Sequence, residues 1–423
     1  QHVHGDDSPP SDRIATPGGT ARGNTGVAII NLGGAGAATL QNGIMVVEAL
    51  NGGTTAQGAF ALTGPVAVGA FEYLLFRGGV TPGTEENWYL RSTIVTPPTP
   101  EVPAPQPAPP SGESPAPPTS TAPAPAPRPD VPPPTPGAIA ATDAVIPLYR
   151  VEVPAYSVVP PVAQQLALAT LGTFHERQGD QDLLSGTGGV VRAIWGRIIG
   201  EHREQSWSGT VAPSFDGSLK GFQTGLDLFA REGDGGHRDR LGVFFGKAEM
   251  DGEVRGFSLG WYNLSVGRVD LDETSAGAYW THIGASGWYV DGVGKYSWFD
   301  GDTRSDRGIG IDLDGKGVTL SLEAGYPLAL QPNWVLEPQA QLIWQSLSIK
   351  DRQDAFSTID FDNSDGFIGR IGGRLRGSFP QGGMVLQPYI KANLWHMFKA
   401  TNRIGFGTGG PIVTHRGATL GGL

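Results

Sequence analysis

The chain has no cysteine among its 423 residues, which excludes disulfide staples, thiolate metal sites and cysteine nucleophiles. In a protein that crosses an oxidising compartment unfolded, the same absence is an advantage, because nothing can pair wrongly on the way. Positive charge is also scarce. Thirty Lys and Arg face 41 Asp and Glu, for a net charge of −11 and a pI near 5.2, and a phosphate-binding surface needs the opposite balance. Nucleic acid is therefore set aside as a partner. No stretch of 18 or more consecutive apolar residues occurs, so no membrane-spanning helix is expected. The first residues, QHVHGDDSPPSD, lack a basic stretch followed by an apolar core, and any export signal is expected to lie upstream or to have been removed. The long Val, Ile and Leu runs of a soluble sandwich core are in short supply as well.

Glycine and proline are abundant, at 64 and 35 residues. Residues 97–136 hold 19 prolines in 40 positions. Proline fixes φ and cannot donate to a ladder, so this stretch favours polyproline II, up to roughly 120 Å long at about 3.1 Å per residue. We read 96–137 as a linker; a ligand for a proline-recognising domain is the rival reading. Before it, residues 1–95 carry short β-branched runs (GVAII, IMVVEAL, FEYLLFRGG) between Gly and Asn clusters, which suit a parallel β-helix or a small sandwich end. After it, in 138–187, the prolines at 154, 160 and 161 favour extended chain, and residues 162–178 are proline-free and rich in Ala, Leu and Gln. One helix is predicted over about 161–178, with Pro161 in its first turn and Gly179 past its end. Its length would be about 27 Å, near the thickness of a bilayer's hydrocarbon core, but its residues are too small and polar to face lipid.

Residues 188–423 alternate. In WYVDGVGKYSWFD (288–300), Trp288, Val290, Gly292, Gly294, Tyr296 and Trp298 fall on one face of a strand, and Tyr289, Asp291, Val293, Lys295, Ser297 and Phe299 on the other. The pattern recurs where Phe222 and Leu226 oppose Gln223 and Asp227, and where Leu320 and Leu322 oppose Ser321 and Glu323. Leu336 and Leu342 oppose Glu337 and Gln341, Phe367 and Ile371 oppose Arg370 and Arg374, and Ile390 and Leu394 oppose Lys391 and Asn393. The polar face is too charged for an ordinary solvated sheet, and aromatics mark the ends of the apolar face. That combination is the signature of a transmembrane β-barrel with lipid outside and a polar lumen. Asp227, Asp291, Lys295, Glu323, Glu337, Arg370, Arg374 and Lys391 are the expected lumen residues. Short connections (284–287, 328–333, 379–383) alternate with long polar ones (253–267, 300–315, 351–366, 401–417), as expected for periplasmic turns and extracellular loops.

Three chemical motifs have a plain structural reading. GFSLG (256–260) matches the G-x-S-x-G nucleophile elbow, but no helix follows it as that chemistry requires. DFDNSDG (360–366) resembles a calcium loop, yet Asp365 and Ile371 stand where Gly and Glu are needed. His175, Glu176 and Arg177 are consecutive and lie on different helix faces, so a capping and lumen-contact role is expected. Arg177 is expected to pair with a lumen carboxylate such as Asp227 or Glu323. No catalytic, cofactor or metal site is predicted.

The segment IPLYRVEVPAYSVVPPVAQQLALATLGTFHERQGD, with the strand pairs GAYWTHIGASGWYVDGVGKYSWFDGD and YPLALQPNWVLEPQAQLIWQ, resembles the translocator of classical autotransporters, the type V self-secretion family. NTGVAIINLGGAGAATLQNGIMVVEALNG, GAFEYLLFRGG and NWYLRS resemble the pertactin-like end of the family's passenger. The resemblance implies an all-β architecture: an antiparallel outer-membrane barrel of the twelve-strand type, with a helix in its pore, preceded by the end of a right-handed parallel β-helix. It implies export and surface anchoring of the protein's own passenger. The implied partners are outer-membrane lipid, that passenger, the barrel-assembly machinery and periplasmic chaperones. Trp88 and Tyr89 would cap the β-helix in an autochaperone role. Nine complete strands and the start of a tenth are counted, and both ends of the chain read as truncated, with an unclosed sheet expected. Members that cut their own pore helix use an Asn within it, and none occurs between Pro160 and Asp182. A porin-like channel and a surface hydrolase are the competing functions.

Overall fold

The structure is a computed structural model that describes residue 3 and residues 12–95, 145–178, 193–233, 235–362, 364–381, 384–398, 401–415 and 419–422. The proline-rich stretch lies outside the described residues. In the front part, Ile14–Pro17 runs parallel to Ile44–Leu50, Thr20–Ala21 to Thr54–Thr55, and Thr25–Val27 to Phe60–Leu62. Three successive parallel pairings between one turn of chain and the next are rungs of a β-helix, and they decide against a sandwich end. Trp88–Arg91 then pairs antiparallel with both Ile44–Leu50 and Leu74–Arg77. Trp88 and Tyr89 sit in this closing strand, buried. The Trp88 indole packs edge-on against Phe60 and donates Nε1–H to Thr55 Oγ1 at 3.0 Å. Thr93–Val95 pairs with Val145–Pro147, so the segments flanking residues 96–144 lie side by side.

The single helix expected over 161–178 is three pieces: α1 (Glu152–Ser157), α2 (Val159–Leu171) and α3 (Phe174–Gln178). The prolines do not hold 152–160 extended. Pro154 falls in the first turn of α1 and Pro160 and Pro161 at the start of α2, where a helix has no use for the missing N–H, and Val158 between them keeps right-handed helical dihedrals. The break sits at Gly172, with φ of +66°, where a Cβ would lie 2.4 Å from the Arg197 guanidinium.

The rest of the chain is an antiparallel sheet whose strands follow sequence order: β1 (Ile194–Ser206), β2 (Ser214–Glu232), β3 (Arg238–Ser258), β4 (Trp261–Ile283), β5 (Tyr289–Ser305), β6 (Gly310–Gly325), β7 (Trp334–Ile349), β8 (Ser364–Gly377), β9 (Tyr389–Met397) and β10 (Thr419–Gly422). Among the described residues β1 and β10 do not pair. A second sheet links the two edges at one end, through Ser208–Gly209 paired with Ile412–His415. The long loops expected from Gly and Asp content are mostly strand. β3 and β4 meet at a two-residue turn, Leu259–Gly260, both with positive φ, which is the hairpin geometry that matches strand twist. β5 and β6 are likewise separated only by residues 306–309. Polar composition there belongs to strands that continue past the apolar band.

The side-chain pattern inverts along the strands. On β5 the outward positions are Val290, Gly292, Gly294, Tyr296 and Trp298, followed by Asp300, Asp302 and Arg304. On the inner face the order is reversed: polar Asp291, Lys295 and Ser297, then Phe299. The same change on neighbouring strands places Phe215, Leu219, Met250, Val254, Leu271, Leu313, Leu347 and Ile349 in one buried cluster with Val153, Tyr156, Val159, Val162 and Leu166 of the helices. The interior therefore has a polar half and an apolar half, where the sequence predicts a polar lumen throughout.

Candidate functional site: a helix held by the polar face of the sheet

A helix ends with four carbonyls that have no partner within it, and its C-terminus carries partial negative charge. At the end of α2 the sheet supplies what the helix lacks. Leu168 O accepts the Gly172 N–H at 3.4 Å. Arg197 on β1 donates Nη2 to Ala169 O at 3.2 Å and to Thr170 O at 2.8 Å, and Gln223 Nε2 on β2 adds a bond to Thr170 O at 2.9 Å. Arg177 of α3 folds back onto Leu171 O at 3.1 Å. Lys295 Nζ, on β5, donates to Ala167 O at 2.7 Å and to Glu273 Oε1 at 2.9 Å, and also bonds Thr170 Oγ1. Cations from separate strands thus cap one helix terminus.

The next turn is gripped in the same way. Phe174 N–H donates to Glu323 Oε2 at 3.1 Å, and Glu323 also accepts the Tyr289 hydroxyl at 2.7 Å and pairs with Arg370 at 3.0 Å. His175 Nε2 lies 2.7 Å from Glu337 Oε1, with Arg374 3.3 Å from its other nitrogen. Glu176 accepts from Lys391 at 2.8 Å. Arg177 pairs with Asp291, whose other oxygen accepts the Thr281 hydroxyl at 2.6 Å; neither Asp227 nor Glu323 is its partner. All eight predicted polar-face residues point inward. Seven form contacts with the helices or with their first-contact residues. Asp227 instead binds within the sheet, to the Tyr279 hydroxyl at 2.6 Å and Arg240 at 3.4 Å.

Sequence reasoning missed Glu273, Arg197 and Tyr279, and it placed Gln223 and Tyr289 on the inward face without naming them as members of this set. Their signal was present, since each falls on the inward parity of its strand, as Glu273 does with Ser275, Tyr279 and Thr281 opposite Trp280. Polar contacts to the helices come from β1, β2, β4, β5, β6, β7, β8 and β9, and β3 packs on them through Met250 and Val254. A sheet can touch one helix from so many strands only by curling around it.

Ser258 ends β3 at the tight turn and donates to Tyr149 O at 2.8 Å, so it has neither a following helix nor a base. Asp360 and Phe361 belong to a short strand, Thr358–Phe361, paired with Thr401–Phe406. Among the described residues no group of three or more potential ligands is arranged to hold a metal.

The autotransporter β-domain family matches residues 194–422, and the type 1 autochaperone domain matches residues 1–75. The chain belongs to the autotransporter family. It is 31% identical to the adhesin BmaC autotransporter of Brucella suis over 88% of its own length but 10% of BmaC, and 30% identical to YdeU of Escherichia coli K12 over 92% of its length and 79% of YdeU. Pertactin of Bordetella parapertussis is 28% identical over 57% of the chain and 25% of pertactin. The transport unit of AIDA-I from Escherichia coli shares the fold, with a TM-score of 0.51 at 18% identity, covering 64% of this chain and 86% of that one. The outward positions of β2 to β9 in this autotransporter are largely apolar, with Leu226, Phe245, Leu320, Leu322, Leu342, Ile371 and Leu394 exposed. No described helix is long and apolar enough to cross a membrane.

Proposed function

We propose that this autotransporter's sheet is the wall of a secretion pore of the twelve-strand type, that α2 and α3 occupy its lumen, and that the front unit stands at the cell surface as the base of the exported passenger. The observation that supports this most directly is the ring of inward side chains from eight strands on the end of α2 and on α3. A chain that has threaded its own pore leaves its trailing segment there, and that segment needs partners on every side. Lys295, Glu323, Glu337, Arg370, Arg374, Lys391 and Asp291 hold it, while Asp227 braces the wall. The function is transport and anchoring without a reaction of its own.

The linker boundaries at 96–137 and the autochaperone role of residues 1–95, with Trp88 and Tyr89 in the closing strand, belong to the same reading. So does insertion by the barrel-assembly machinery with periplasmic chaperones. A stack of rungs grows by burying each new rung on the last, so a stable terminal rung lowers the cost of starting. A porin-like channel is disfavoured by the filled interior. The test is protease added to intact cells making the full-length protein: the front unit is expected to be cut or shaved from outside. Front-unit fragments protected until the outer membrane is breached would overturn the proposal.

A further inference from the structure

The front unit meets the sheet through a buried charge network that the transport reading does not require. Arg307 sits in the short turn between β5 and β6. Its Nη1 reaches both carboxylate oxygens of Glu72 in the front unit at 3.1 and 2.9 Å. Its Nη2 reaches both oxygens of Glu152, the first residue of α1, at 3.1 and 2.9 Å, and Nε adds a bond at 3.3 Å. One guanidinium thus clamps two carboxylates side by side, the geometry in which Arg is strongest. Glu72 and Glu152 are fully buried.

A second arginine repeats the arrangement from the other side. Arg150, also fully buried, donates Nε to Gly69 O of the front unit at 2.7 Å, and Nη1 to Glu152 at 3.2 Å and to Asp354 at 2.6 Å. Asp354, between β7 and β8, also accepts the Tyr156 hydroxyl at 3.0 Å. Around these charges Leu74, Phe76, Ile94, Ile146 and Leu148 share one apolar core with Val211, Phe257, Leu259 and the helices. The front unit, the helix entrance and the turns of three strand pairs are therefore one packed body.

We propose that the front unit has a second function besides templating: it is the outer lid of the pore, and the Glu72–Arg307–Glu152–Arg150–Asp354 network is its latch. The inference rests on the reading of the sheet as a secretion pore. The latch can close only when all of its parts have arrived, because a lone carboxylate or guanidinium buried at this joint would be left without its counter-charge. An unfolded front segment in transit offers no placed Glu72 or Gly69 O, so the mouth stays open while export runs and shuts when the last rung folds. The apolar contacts around the latch exclude water from the joint, which makes it a seal.

The test uses the full-length protein with Glu72→Gln, Arg307→Gln and the double substitution, and with Glu48→Gln at the exposed Arg13–Glu48 pair as a control. Ion-conducting openings are counted in planar bilayers, and cells are challenged with a large hydrophilic antibiotic. Surface exposure of the front unit is followed by protease on intact cells. Glu72→Gln and Arg307→Gln are expected to raise the open fraction more than about tenfold, since each breaks the Arg307 clamp that ties Glu72 of the front unit to Glu152 at the start of α1, and the double variant is expected to match Arg307→Gln. Glu48→Gln is expected to behave as wild type. Openings at the wild-type level in both single variants, with the front unit displayed normally, would overturn the lid. Absence of the front unit from the surface in the wild type would instead overturn the pore reading. Should Arg307→Gln fail to assemble, Glu72→Gln decides alone, because Glu72 lies outside the sheet.

Discussion

The pair between Lys295 and Glu273 offers the sharpest test of how the interior is held. Both side chains have 0% exposure. Lys295→Met would remove three bonds at once, to Ala167 O, Thr170 Oγ1 and Glu273. Glu273 would keep the hydroxyls of Thr170 and Ser297 but lose its counter-charge. Breaking a buried pair from one side costs about 3 to 5 kcal/mol, and Glu273→Leu is expected to fall in the same range for the reason that Lys295 is then stranded. The double variant removes both charges. Its remaining loss is the acceptor of the buried Ser297 hydroxyl, about 1 to 3 kcal/mol, because Ala167 O still accepts from Thr170 Oγ1 at 3.3 Å and Thr170 Oγ1 still bonds Leu166 O at 3.1 Å. The double variant should therefore be more stable than either single one. The assay is the urea concentration at which the heat-modifiable gel band of the folded barrel is lost. A double variant whose cost equals the sum of the two singles would refute the coupling and with it the claim that the pair acts as a unit on α2.

Much of this arrangement was legible in the sequence, and the reason is periodicity. In a strand the partition between faces is fixed by parity alone, so Asp291, Lys295, Glu323 and Arg370 could be placed inward without knowing the register. The partners could not be placed. Arg177 meets Asp291 rather than Asp227 because the choice depends on where the chain turns at Gly172, and a positive φ at a glycine is one of several options that glycine permits. The three helical pieces were hidden for a related reason: proline argues against helix by its place in the interior, and Pro154, Pro160 and Pro161 stand near starts. The apolar upper interior was hidden because Phe299 follows the same parity as Lys295. The one sign of the change in the sequence is on the outward face, where Trp298 gives way to Asp300, the boundary at which the proposed reading has lipid give way to water.

Four further outcomes are expected. Leu322→Arg, on the outward face of β6 at 56% exposure, should lower barrel stability by about 2 to 4 kcal/mol if it lies near the bilayer midplane, whereas Leu328→Arg, at the turn, should cost about 0 to 1 kcal/mol; equal losses in urea titrations would contradict the depth assignment. Trp88→Ala should cost the front unit about 3 to 5 kcal/mol and leave Thr55 without its indole donor, and unchanged protease resistance of the displayed front unit would count against the cap. The Thr55 N–H, with Arg77 at 2.7 Å, holds the Glu86 carboxyl below its ordinary value of 4.5, so its contribution is present above that pH and is lost as pH falls through the lowered value; Glu86→Gln should flatten acid sensitivity in that window, and an unaltered acid profile would show that the contact contributes nothing. The last concerns the outer ends of the strands, where register sets Asp251, Asp270, Asp302 and Asp312 directly opposite one another across β3 to β6. Like charges facing each other across strands are destabilising by roughly 0.2 to 1 kcal/mol per pair. Lys220 lies 3.8 Å from Asp251 and Arg304 3.0 Å from Asp302, while among the described residues no basic side chain comes within ion-pair distance of Asp270. Asp270→Asn should therefore stabilise the barrel, more than Asp302→Asn does, and the gain should shrink towards zero as salt is raised to about 1 M, where the screening length is about 3 Å. A loss of stability, or a gain indifferent to salt, would mean that the row of carboxylates is held by something other than the repulsion its register implies.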